Sequence, residues 1–130
     1  MSTNINTDNF PLRLETESII NVCLEVHKHL GHGFLEIVYK DAMELEFHRH
    51  KTFYEREKEF PIFYKNILLD HKFYTDFVVF NSIILEIKSK TEICDEDLAQ
   101  AINYLKCSGC KVGLVLNFGR KKLEIKRVVY

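Results

Sequence analysis

Apolar residues recur at helical spacing over residues 15–30, where Ile19, Ile20, Cys23, Val26, His27 and Leu30 share one side and Gly31 stands in the place of a C-terminal cap. Gly31-His-Gly33 then breaks the chain. A second helix is predicted from about residue 35 to residue 50, with Val38, Ala42 and Leu45, and with them Tyr39 and Met43, facing inward. Past Lys51 the period shortens to that of strands: residues 53–59 alternate, Pro61 punctuates, residues 62–65 continue, and Lys65-Asn66 turns into residues 67–69. Residues 73–79 and 83–87 are apolar runs separated by Phe80-Asn81-Ser82, and a β-hairpin is the simplest solution. Helical character returns over residues 98–107, opened by Asp95-Glu96-Asp97 at the positive end of the helix dipole and closed by Gly109. Two last strands, residues 112–116 and 123–129, flank Asn117-Phe-Gly119. The order predicts one layered α/β (α+β) domain over residues 15–130 behind a flexible N-terminal arm, residues 1–14.

A chain of 130 residues, 46% hydrophobic, has enough core for one domain without staples. No apolar run approaches the ~20 residues needed to span a bilayer, and the first residues lack a secretion signal. A soluble cytoplasmic protein with no membrane partner is the expectation. Eighteen basic residues against nineteen acidic give a net charge of −1, which argues against a uniformly basic nucleic-acid binder. The distribution changes that picture. Residues 1–47 carry a balance of −5, residues 48–90 of +2, residues 91–110 of −3 and residues 111–130 of +5. The last segment, with Arg120, Lys121 and Lys122 in its turn, is either a solvated basic hairpin or a surface that meets a phosphate backbone.

The hairpin carries the candidate chemistry. Asp76 lies on its first strand and Glu86-Ile-Lys88 on its second; a three-residue loop sets Asp76 opposite Glu86, and alternation places Glu86 and Lys88 on one face. Two carboxylates directly across a hairpin repel unless a cation sits between them, and Mg2+ (or Mn2+) suits hard oxygen donors. The backbone carbonyl of Ile87 supplies a third oxygen, and Lys88 stands where it can hold an attacking water. The tetrapeptide alone carries no signal, because Leu85-Glu-Ile-Lys88 recurs as Leu123-Glu-Ile-Lys126. Only the first copy has an Asp ten residues upstream and a polar helix downstream. That helix presents Gln100 and Tyr104 four apart on one face, and Glu36 and Tyr39 form a similar pair at the start of the second helix. Glu36 is either a dipole-favoured first-turn carboxylate or an added metal ligand. Cys107-Ser-Gly-Cys110 lacks a second closely spaced ligand pair, so Cys23, Cys94, Cys107 and Cys110 are expected as free thiols rather than as iron–sulfur cluster ligands.

Together Asp76, Glu86-x-Lys88 and Gln100-x-x-x-Tyr104 resemble the PD-(D/E)XK nuclease superfamily, with Thr75 standing where the superfamily's name has Pro. More narrowly, Gly33-Phe-Leu-Glu36-Ile-Val-Tyr39 is similar to the signature of the GxxExxY proteins, a bacterial and archaeal member of it. The resemblance implies a restriction-endonuclease-like core, a mixed sheet between helices. It implies a metal held by Asp76, Glu86 and Glu36, Lys88 as the catalytic lysine, and Gln100 and Tyr104 assisting substrate binding and positioning, with Tyr39 beside them. The activity implied is metal-dependent hydrolysis of nucleic acid, DNA favoured. A non-cleaving nucleic-acid- or protein-binding module on the same fold is the alternative. Because 130 residues leave little beyond a catalytic core, a homodimer or a partner protein is also expected.

Overall fold

The computed structural model describes residues 11–130. The arm expected over residues 1–14 therefore lies, through residue 10, outside the described residues. Arg13 and Leu14 belong to the first helix, and the Pro11 carbonyl accepts a hydrogen bond from Arg127.

Helix α1 spans Arg13–Leu30 and buries Ile19, Val22, Cys23 and Val26, an apolar stripe of helical period; Gly31 closes it at φ 70° with its amide on the His27 carbonyl. Helix α2, Glu36–Arg49, buries Tyr39, Lys40, Met43 and Phe47. The inward face expected here is corrected by about one residue, since Leu45 is exposed and Phe47 is fully buried. Tyr39 and Met43 are buried as expected, and Phe47 in place of Leu45 completes one i, i+4, i+8 line against the core.

Five strands form one sheet in the order β1-β2-β3-β4-β5: β1 Tyr54–Tyr64, β2 Ile67–Val79, β3 Ile83–Lys88, β4 Val112–Asn117 and β5 Glu124–Val129. The pair β3·β4 is parallel and all others are antiparallel, so the sheet is mixed. Where short segments broken at Pro61 are expected, β1 and β2 are long and continuous. β1 is an edge strand, so the missing amide of Pro61 costs no ladder bond on its outer side; the register slips just beyond it. Lys65 and Asn66 make the predicted turn with φ of 48° and 65°.

Alternation along the central strands divides the interior. Ile83, Leu85, Ile87, Val112, Leu114 and Leu116 face α1 and α2, whereas Ile84 and Val115 face the third helix, α3 (Asp95–Ser108), through Ala101 and Leu105. The result is a three-layer α/β/α domain. Gly109 ends α3 in the left-handed region, φ 79°, as its position predicts. No helix among the described residues is long and apolar enough to cross a membrane. The four thiols are free, and Cys23 is buried on the α1/α2 side of the sheet while Cys110 packs on the α3 side.

Candidate active site

Strands β2 and β3 pair only from Phe77↔Leu85 to Val79↔Ile83 and then separate into a fork. At the fork, carboxylates take over the ladder. The Ile87 amide donates to Asp76 Oδ2 at 2.7 Å, and the Asp76 amide donates to Glu86 Oε2 at 3.3 Å. Each strand's backbone donor is thus satisfied by the other strand's side chain. Because a strand residue presents its N–H and C=O to the same side, the Ile87 carbonyl faces this fork as well.

Glu86 is buried, 7% exposed, and burial followed by the neighbouring Asp76 charge pushes its carboxyl up to about 8. Asp76 is half-buried and has a partner that the sequence reading missed. Lys40 reaches it from α2 with Nζ 2.9 Å from Asp76 Oδ1 and 3.0 Å from Glu57 Oε2. Burial works to lower the Lys40 ammonium's pKa, and its contacts with Asp76 and Glu57 outweigh burial to raise it. The overlooked signal is a lysine in the line of Met43 and Phe47, a position a lone charge does not occupy without partners.

How a residue of α2 reaches Asp76 follows from a break in the β1·β2 ladder. Arg56 pairs with Phe77 and Lys58 with Thr75, but between them Glu57, opposite Asp76, leaves the ladder at φ 53°. The break turns the hairpin over. Val78 packs on the α3 side and Phe73 stacks on Tyr104 of α3, yet the two lie an odd number of residues apart, which regular alternation forbids. Asp76 stands at the crossover and is open to both layers.

Beyond the fork, Lys88 Nζ lies 3.8 Å from Asp97 Oδ1 in the first turn of α3. Asp97 also accepts from Lys90 Nζ at 2.8 Å and from the Cys94 amide at 3.0 Å. Burial opposes its ionisation, and these donors together hold its carboxyl well down, at about 2. Asp97 is the second residue missed; the acidic run hid it as helix-dipole charge. Tyr104 stacks on Phe73 at 4.3 Å, and Phe73 on Phe60 at 5.3 Å. Burial, then the charges of Glu86 and Asp76, raise the Tyr104 phenol, as expected of a ring beside the fork. Gln100, one turn earlier on the same helix, is exposed.

Tyr39 is fully buried, stacked on Phe118 at 4.5 Å, with its hydroxyl donating to the Gly31 carbonyl and accepting from the Phe34 amide. Its hydroxyl ties down the loop before Glu36. Glu36 is exposed in the first turn of α2, and among the described residues no three His, Cys, Asp or Glu side chains converge into a metal-holding group. Glu36 does not join Asp76 and Glu86 in a preassembled ligand set.

The basic turn is docked at the same end of the sheet. The Phe118 amide donates to the Lys88 carbonyl at 2.8 Å, and the Asn117 side chain bonds both the amide and the carbonyl of Lys90. Gly119 passes so close that a Cβ there would lie 2.3 Å from the Lys90 oxygen. Arg120, Lys121 and Lys122 are exposed along a shallow groove of about 570 Å³.

A sheet layered between helices, with an acidic fork and a lysine on adjacent strands, defines a nuclease-like class of site. A family model of the PD-(D/E)XK nuclease superfamily matches residues 13–128, and the chain belongs to that superfamily. The crystal structure of SSO0001 is similar at a TM-score of 0.49 and 16% identity, covering 88% of this chain and 76% of that one. A search of curated proteins returns no match.

The superfamily typically uses divalent metal ions. The residues present fit one: two adjoining carboxylates and a carbonyl are hard oxygen donors, and burial leaves the Glu86 charge in want of a cation.

Proposed function

We propose that this protein is a metal-dependent nuclease that hydrolyses phosphodiester bonds, with DNA the favoured substrate. The interlocked Asp76 and Glu86 carboxylates, with Lys88 two residues beyond Glu86 on β3, are the observation that supports it. Asp76, Glu86 and the Ile87 carbonyl would hold Mg2+ or Mn2+, which when bound supplies Lewis acidity toward a phosphodiester. Glu36, in the first turn of α2, would be an added ligand. Lys88, held by Asp97 at a loose 3.8 Å, is placed to orient a water and to donate to a non-bridging phosphate oxygen. Gln100 and Tyr104 line the approach from α3, and Arg120, Lys121 and Lys122 give the backbone of the nucleic acid a cationic track. Within the superfamily, the segment Gly33-Phe-Leu-Glu36-Ile-Val-Tyr39 supports membership of the GxxExxY proteins; Gly33 adopts φ 111°, and Tyr39 locks the loop it ends.

A panel of linear, circular and single-stranded DNA and of RNA, with Mg2+ and Mn2+, tests the proposal. Cleavage by the wild type should fall about a hundredfold or more in Asp76→Ala and Lys88→Ala. Equal cleavage by wild type and Asp76→Ala overturns it, and nucleic-acid binding with no cleavage of any substrate supports the non-cleaving module instead.

A further inference from the structure

Lys40 is a feature of the fork that metal ligation and water attack leave unused. The residue is buried, 7% exposed, and its ammonium touches two carboxylates: Asp76, a candidate metal ligand, and Glu57, which is not. Glu57 reaches it only by leaving the β1·β2 ladder in a left-handed conformation, φ 53°, that non-glycine residues rarely adopt inside a strand. A carboxylate in regular alternation at that position has no need of such a backbone.

We propose that Lys40 is the resident cation of the fork: in the metal-free protein its ammonium holds Asp76, and on metal entry it withdraws to Glu57. This rests on the reading of Asp76 and Glu86 as metal ligands. A divalent ion at Asp76 repels an ammonium on the same carboxylate, which drives the ammonium toward Glu57. Lys40 cannot retreat into the core without a counter-ion, because an unpaired buried charge is heavily penalised. Glu57 provides the second berth, its side chain 55% exposed and facing the same ammonium. The pair therefore sets how readily the site takes up metal. Lys40 and Glu57 are positioning residues.

The two residues of this one ion pair must act in opposite directions, which a merely structural salt bridge does not do. Mn2+ binding to the full chain, measured by calorimetry without nucleic acid, is the test. Lys40→Met should bind Mn2+ about tenfold more tightly than wild type, since the competing charge is gone. Glu57→Gln should bind about three- to tenfold more weakly, since the ammonium then gives up its last charged partner when it leaves Asp76. Asp76→Asn should abolish binding. If Lys40→Met and Glu57→Gln shift affinity in the same direction, or leave it unchanged, while Asp76→Asn abolishes it, the role of Lys40 is overturned and the metal site stands. If the wild type binds no Mn2+, both fall. Should Lys40→Met fail to fold by circular dichroism, Glu57→Gln decides alone: weaker binding supports the proposal, and unchanged or tighter binding overturns it.

Discussion

Replacing Glu86 by Gln should stabilise the metal-free protein at alkaline pH. The Glu86 carboxyl is buried beside Asp76, and its pKa rises from the ordinary 4.5 to about 8. Between those values the unfolded chain has released this proton and the folded chain still holds it, so the unfolded state binds fewer protons and stability falls as pH rises. The contribution is fully present below pH 4.5, is lost through pH 8, and is level above it. At about 1.4 kcal/mol per pH unit, the ionised carboxylate costs the fold about 5 kcal/mol above pH 8, a large part of the 5–15 kcal/mol that stabilises a typical domain. Gln keeps an oxygen to accept from the Asp76 amide and carries no charge. Urea unfolding in the presence of a chelator, from pH 4 to pH 9, is the assay. Glu86→Gln should match the wild type near pH 4 and exceed it by up to about 5 kcal/mol at pH 9. Saturating Mn2+ at pH 8.5 should close the gap by stabilising the wild type alone. A difference between the two proteins that stays flat from pH 4 to pH 9 refutes the burial of Glu86 beside a second carboxylate.

Two further substitutions test how the fork is framed. Gly119→Ala places a Cβ 2.3 Å from the Lys90 oxygen and 2.4 Å from its nitrogen, so the turn must lift from the end of β3; a loss of about 2–3 kcal/mol is expected in denaturant unfolding, and an unchanged midpoint refutes the close approach. On α2, Phe47→Ala should cost about 3–5 kcal/mol and Leu45→Ala about 0.5 kcal/mol or less, measured in the same way; equal costs refute the orientation that also carries Lys40 to the fork.

The layered fold was legible because its helices and central strands follow clean periods. Ile19, Cys23 and Val26 mark α1, and the run from Ile83 to Ile87 has the composition of a strand buried on both faces. The Asp76–Glu86 juxtaposition was legible for the same reason: a hairpin of known loop length fixes which residues face each other. Lys40 and Glu57 were not. Their meeting depends on a backbone break at Glu57, and no side-chain pattern announces a left-handed residue within an alternating strand. The choice of Phe47 over Leu45 on α2 escaped as well, since both are apolar and only tertiary contacts, of Phe47 with Tyr54 at 5.3 Å and with Phe77 at 5.4 Å, select between them.

The repeated tetrapeptide shows why spacing alone could not separate a site from a scaffold. Both copies lie in the same sheet with their Glu and Lys on one face, and the register even aligns them: Glu86 pairs with Val115, and Val115 with Lys126, while Lys88 pairs with Asn117, and Asn117 with Glu124. What differs is the neighbourhood of each carboxylate. Glu124 accepts from the Ile93 amide at 3.0 Å and from Asn117 Nδ2 at 3.0 Å, and although burial opposes its ionisation, these donors hold its carboxyl below the usual range. It is a satisfied carboxylate that pins the loop before α3. Glu86 accepts a single long bond of 3.3 Å, faces another carboxylate, and is pushed up to about 8. The same four residues therefore yield a structural brace at one place and an unsatisfied charge at the other, and it is the unsatisfied one, at the fork where β2 leaves the sheet, that has use for a cation.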